Sequence, residues 1–112
     1  MIVYAPRFVK IITGDFARAI TLYPFVFVKK SKDLENQVML NHEKIHLRQQ
    51  RELLILPFYA QYLWEYTRHR LRGMSQYQAY RQISFEREAF ANERDMDYLD
   101  KRKKKAYRDY LT

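Results

Sequence analysis

The sequence predicts an α+β fold that is predominantly helical, with a small N-terminal antiparallel sheet followed by a long helix and further helices downstream. Three observations carry this. Only two glycines and three prolines punctuate 112 residues, and the stretches between them are rich in Leu, Glu, Gln, Arg, Lys and Ala, which lose little freedom in a helix. β-branched and aromatic residues gather in the first thirty positions instead. From Leu34 onward apolar residues recur at helical spacing. With 47% hydrophobic and 16% aromatic content, the chain is long enough to bury one core and too short for two, so residues 1–112 read as a single domain.

Taken in order, Thr13, Gly14 and Asp15 supply a turn between two stretches rich in Val, Ile, Phe, Tyr and Thr, so two or three antiparallel strands are expected. Pro24 lies inside the second stretch, Ala19 to Val28. It has no amide hydrogen to give a ladder, which puts that strand at or near a sheet edge. Ser31, Lys32 and Asp33 then offer caps, and Leu34, Val38, Ile45 together with Leu40, Leu47, Leu54 predict a helix from about Asp33 to Leu54.

Pro57 ends or kinks that helix, and a second one runs from Phe58 to about Arg70 and closes near Gly73. Its Phe58, Tyr59, Tyr62, Leu63, Trp64 and Tyr66 are apolar almost all round, which suits burial between neighbours or at a dimer contact. Ser75 followed by Gln78 makes a capping-box pattern for a short helix to about Gln82. Ser84 can cap a last helix from Phe85 to about Arg108.

The formal charge of +8, from 21 Lys and Arg against 13 Asp and Glu, makes an anionic partner such as nucleic acid or acidic lipid a rival reading. Its centre would be the run Lys101, Arg102, Lys103, Lys104, Lys105. Asp97 and Asp100 each have a lysine four residues on, however, which equally suits a solvated helix. The absence of cysteine excludes a disulfide framework and a thiolate metal site, so a metal here must use nitrogen and oxygen ligands. The apolar run Leu53 to Trp64 carries Pro57 and Gln61 and falls short of the ~20 residues of a spanning helix. Met1 to Thr13 is broken by Pro6, Arg7 and Lys10 and lacks the continuous apolar stretch of a secretory signal, which reads as a cytoplasmic protein.

His42, Glu43, Lys44, Ile45 and His46 form an HExxH motif inside the long predicted helix. Residues four apart share a helix face, so both imidazoles can reach one ion while Glu43 touches water beside it. A catalytic zinc usually takes three protein ligands. A metzincin arrangement is excluded, because Gln49 and Glu52 stand where it needs glycine and histidine. His69 sits in a basic helix end, Thr67 to Arg70, where a cation is favoured anyway. A downstream glutamate suits better, with Glu86 as first choice and Glu88 as second. Ala89, three residues after Glu86, would let the two helices approach closely. Both acids would also suit a first helical turn against the dipole.

Leu40 to Gln50, taken with Ser84 to Ala89, resembles the gluzincin zinc peptidases, and the chain's size resembles the minigluzincins, compact single-domain members. The resemblance implies one zinc held by His42, His46 and Glu86, with the glutamate on a later helix, and hydrolysis of peptide bonds by zinc-activated water with Glu43 as general base. Many members carry an aspartate four residues after the ligand glutamate as partner to a histidine. Phe90 stands there in this chain, leaving Asn92 and Glu93 as candidates to hold an imidazole.

The substrate would be an extended peptide or protein segment, added to the exposed edge of the Ala19 to Val28 strand. An oxyanion donor is expected among ten tyrosines, none singled out. Ala106 to Thr112 reads either as a frayed helix end or as a latency device, with Asp109 or the terminal carboxylate approaching the metal and Tyr107 and Tyr110 filling pockets. A relative that keeps the metal but has lost hydrolysis is a further reading.

Overall fold

A computed structural model describes residues 1–14 and 16–111. Strand β1 (Ile2–Tyr4) leads into helix α1 (Pro6–Thr13), then strands β2 (Ala19–Leu22) and β3 (Phe25–Val28) and a 3₁₀ turn (Ser31–Glu35). Helices α2 (Gln37–Leu53), α3 (Ile55–Leu71), α4 (Gln76–Gln82), α5 (Ser84–Asn92) and α6 (Tyr98–Lys101) follow, and a second 3₁₀ turn (Ala106–Tyr110) closes the described chain. The fold is α+β and mostly helical, as expected.

The sheet differs from the expected antiparallel one. Its order is β1-β3-β2, with β2 antiparallel to β3 but β1 parallel to it. The cause is α1, which the β-rich composition of this stretch concealed. Pro6 sits in the first turn of α1, where its missing amide hydrogen costs nothing. Val9 is buried and Phe8 lies 4.6 Å from Phe27, so the segment covers the sheet instead of joining it; β2 follows on the far side, and the hairpin back from it lays β3 between β2 and β1, parallel to β1. Gly14, at φ 63°, ends this helix rather than joining two strands. Asp15 of the expected turn lies outside the described residues. Pro24 stands in the turn of a β2–β3 hairpin after a cis peptide bond, so Ala19 to Val28 is two strands, of which β2 is the edge.

The long helix begins later than its composition suggests. Asn36 is its N-cap, accepting from the Met39 amide at 3.1 Å, while buried Asp33 is engaged by Arg18. The break before α3 falls at Leu54, at φ 71°, and Pro57 is accommodated in the first turn of α3, where no amide hydrogen is required. The capping box at Ser75 is present in both halves, Gln78 N to Ser75 Oγ at 3.1 Å and Ser75 N to Gln78 Oε1 at 3.0 Å. Ser84 does not cap α5; its amide and hydroxyl both donate to buried Glu65 at 2.8 Å.

The last helix, expected to reach Arg108, stops at Asn92. The buried side-chain amide of Asn41 donates to the carbonyls of Glu93 at 2.8 Å and Asp95 at 3.0 Å, tying off the end of α5. The chain then turns back, and Tyr107 buries against Phe85 at 4.8 Å in a core with Phe58 and Ile83. Withdrawing one such side chain from water contributes about 1.5–3 kcal/mol. Ala106 to Tyr110 is therefore neither a frayed end nor a plug. Asp109 pairs with Lys103 at 2.6 Å on the surface, Tyr110 bonds Asn92 and Arg87, and Thr112 lies outside the described residues.

Among the described residues no helix is long and apolar enough to cross a membrane. Helix α3, read as apolar all round, buries Phe58, Glu65 and His69 but leaves Leu56, Leu63, Trp64 and Leu71 in solvent.

Candidate metal centre

One turn of α2 separates His42 from His46, and both are buried on the side that packs against α5. Glu86, in the first turn of α5, meets them. Its Oε1 lies 2.9 Å from His42 Nε2 and 3.0 Å from His46 Nε2. Ala89, one turn on, is fully buried and small enough to permit this approach. One ligand atom from each of the three residues lies within 4.8 Å of the others, so the group can hold a metal ion.

The outer nitrogens decide what the inner ones offer. His42 Nδ1 lies 2.8 Å from Glu93 Oε1, a carboxylate oxygen that only accepts. His46 Nδ1 lies 2.7 Å from Gln49 Oε1. The orientation of that amide is set, because Gln49 Nε2 donates to Phe85 O at 3.1 Å and to Glu88 Oε1 at 3.0 Å. Both imidazoles therefore carry hydrogen on Nδ1 and, when neutral, present a lone pair on Nε2.

Two lone pairs and a carboxylate oxygen buried at one point repel unless positive charge lies among them. Protons can supply it. Burial opposes charging His46, but the Glu86 charge and hydrogen bond outweigh it and raise its pKa to about 9. His42 is raised as well, burial being overcome chiefly by its bond to Glu86. Burial would raise Glu86, yet the His46 charge and the bonds from both imidazoles hold it well below the usual carboxylate range. A divalent cation meets the same need, and two imidazole nitrogens with one carboxylate are a donor set suited to zinc with a position left open. The residues present fit such an ion.

Glu43 stands beside this group without joining it. It is half-buried, and its Oε2 accepts from Thr21 Oγ1 at 2.8 Å. Thr21, on β2, is itself stapled down, since its carbonyl accepts from Tyr59 Oη at 2.6 Å and Gln50 Nε2 at 2.7 Å. Glu43 and Tyr80 line two clefts that meet at the centre. The larger, about 810 Å³, also reaches Ala19, Thr21, His46, Tyr62 and Glu86. The other reaches His42, Phe90 and Glu93. No described tail residue lines either one.

The remaining sequence candidates fall elsewhere. Glu88, the second choice beside Glu86, is fully buried but turned away, accepting from Tyr98 Oη at 2.6 Å and from Arg102. His69 is buried outside the group. Of the two residues proposed to hold an imidazole, Glu93 does so, while Asn92 donates to Glu88 O and contacts Tyr110. Phe90 packs edge-on against the His42 ring at 4.5 Å, with the Arg81 guanidinium 3.8 Å from its own ring. The run Lys101 to Lys105 is not a continuous cationic strip. Lys101 pairs with Asp95, Lys103 with Asp109, and the Arg102 side chain is fully buried.

Sequence reasoning missed Gln49, Thr21, Tyr62, whose hydroxyl donates to Glu86 Oε2 at 2.6 Å, and Asn41. Gln49 had a local signal, three residues beyond His46 on the same helix; the others meet the site only through long-range packing. Comparisons of the chain with protein-family models, with curated proteins and with solved structures give no match.

Proposed function

We propose that the protein is a zinc-dependent peptidase of gluzincin type, in which His42, His46 and Glu86 hold one zinc and Glu43 is the general base. The observation that carries this reading is the convergence of two Nδ1-anchored imidazoles and a carboxylate on one point, with a second carboxylate beside them open to the clefts. Zinc held there supplies Lewis acidity, which polarises a carbonyl and lowers the pKa of water.

The chain's own residues do the rest. Thr21 fixes Glu43 Oε2, leaving Oε1 to take a proton from water and return it to the leaving amine. Tyr59 and Tyr62 have committed their hydroxyls. Tyr80 lines both clefts, its hydroxyl makes no hydrogen bond to a described residue, and burial, together with the charges of Glu86 and Glu43, raises its pKa, so it stays a donor. It is the residue we assign to the developing oxyanion.

An extended peptide would lie along β2. Lys29 N bonds Arg18 O, so by alternation Ile20 and Leu22 turn their backbone groups to β3, and Ala19 and Thr21 turn theirs to the free edge. The Thr21 carbonyl is already taken, which leaves both groups of Ala19 and the Thr21 amide for substrate.

Element-specific metal analysis of protein purified without chelator or metal-affinity resin should find one zinc per chain, and Glu86→Gln should lose it. A parent without metal, or a fully loaded Glu86→Gln protein, would overturn the ligand set. Zinc without cleavage of an unstructured protein substrate would instead identify an inactive relative. Tyr80→Phe should keep zinc and lower kcat by about a hundredfold, and an unchanged kcat would remove Tyr80 from the mechanism.

A further inference from the structure

Helix α3 leaves one face exposed among the described residues. Leu56, Leu63, Trp64 and Leu71 are exposed by 82, 60, 64 and 82%, and exposed Ala60 and Thr67 fall between them. At these intervals the side chains form one stripe along roughly 22 Å of helix. The stripe reaches the mouth of the larger cleft, because Leu63 lines that cleft while staying exposed. Across from it on the same cleft are Ile12 and Phe16, exposed by 53 and 50%, with Ile11 beside them.

Among the described residues, the exposed charges of α1 and α3 have one sign. Helix α1 contains no acid, and the single acid of α3, Glu65, is buried and bonded by Ser84 and Gln61. Arg7 and Lys10 are exposed on α1, and Arg70 and Arg72 are exposed at the end of α3. A second copy laid on this face would bring the same cations against them, which like-charge repulsion disfavours. An apolar stripe with a tryptophan, flanked by the exposed cations of α1 and of the end of α3, matches what a surface-lying helix presents to anionic lipid. Its aliphatic side chains enter the acyl boundary, the indole sits at headgroup depth and the cations meet phosphates. No described helix is long and apolar enough to span, so the contact is with the surface.

We propose that the α1–α3 rim docks the protein on an anionic membrane surface, with the mouth of the larger cleft at headgroup level. Docking stands on exposure and charge and does not need the metal. Resting on the peptidase reading, it implies that the peptides reaching the cleft are extended segments lying close to a membrane.

Trp64 is the chain's only tryptophan and sits in the stripe, so the full chain carries its own reporter. Adding phosphatidylcholine vesicles containing phosphatidylserine should shift Trp64 emission to shorter wavelength, make it quenchable by brominated acyl chains, and lose the effect at high salt. The double variant Leu56→Gln, Leu63→Gln should weaken partition by about tenfold, and Arg7→Gln or Lys10→Gln by about fivefold each. All four positions are exposed, so circular dichroism should be unchanged. No shift at any lipid ratio, or equal partition into pure phosphatidylcholine, would overturn the proposal. So would a shift produced by protein concentration alone with a dimer in sedimentation, which would make the face a contact between copies. Because fluorescence is read rather than hydrolysis, failure here is distinct from failure of the zinc reading.

Discussion

Glu43→Gln is expected to retain zinc and to lower turnover by about a thousandfold, within the range a positioned general base contributes. The substitution is close to isosteric, and the amide oxygen can still accept from Thr21 Oγ1, so the packing of β2 on α2 should survive. What is lost is the ability to take a proton. Metal content should be unchanged, because Glu43 is not among the atoms that converge between the imidazoles. Steady-state cleavage of an unstructured protein, run beside metal analysis, reads both quantities. Thr21→Val frees Glu43 Oε2 without removing the base, and should cost only about tenfold in kcat. Cleavage by Glu43→Gln at the parent rate would falsify the role assigned to Glu43. Loss of zinc in that variant would make Glu43 a structural support of the centre instead.

Arg102→Met should destabilise the fold by about 3–5 kcal/mol, the usual consequence of removing one partner from a buried ionic network. Arg102 reaches both oxygens of Glu88 and, at 3.0 Å, Glu52 Oε2, and its side chain is fully buried. Without it two carboxylates on α2 and α5 face one another across the core with no cation between them. A domain of this size has a stability of roughly 5–15 kcal/mol, so urea denaturation should show a large fall in midpoint. The effect should also reach the metal. Glu88 accepts from Gln49, and Gln49 in turn holds His46 Nδ1. Loss of such an outer partner typically weakens metal affinity about 10–100-fold, and zinc titration of folded Arg102→Met at low temperature should show it. Arg102→Lys, which keeps the charge but not the fork, should fall between. A change in stability below about 1 kcal/mol would mean that solvent reaches the network.

The sequence by itself determined the features that depend on residues a few positions apart. Helical dominance, the capping box at Ser75 and the shared face of His42 and His46 follow from spacing along one element, because neighbours at three and four positions meet in any helix. Which acid stands beside those imidazoles did not follow. Glu86 and Glu88 lie about 200° apart around their helix, and only the packing of α5 on α2 turns Glu86 to the centre and Glu88 to Arg102. The same holds for Glu93, placed at His42 by the Asn41 amide that ends α5 early, and for the tail, drawn into the core by Tyr107 and by Arg102. Composition even misled at Pro6 to Thr13, where β-rich residues form a helix because Phe8 and Val9 gain more by covering the sheet than by extending it. Buried contacts between distant segments carry most of the free energy that separates such alternatives, and those partners are not neighbours in the chain until it has folded.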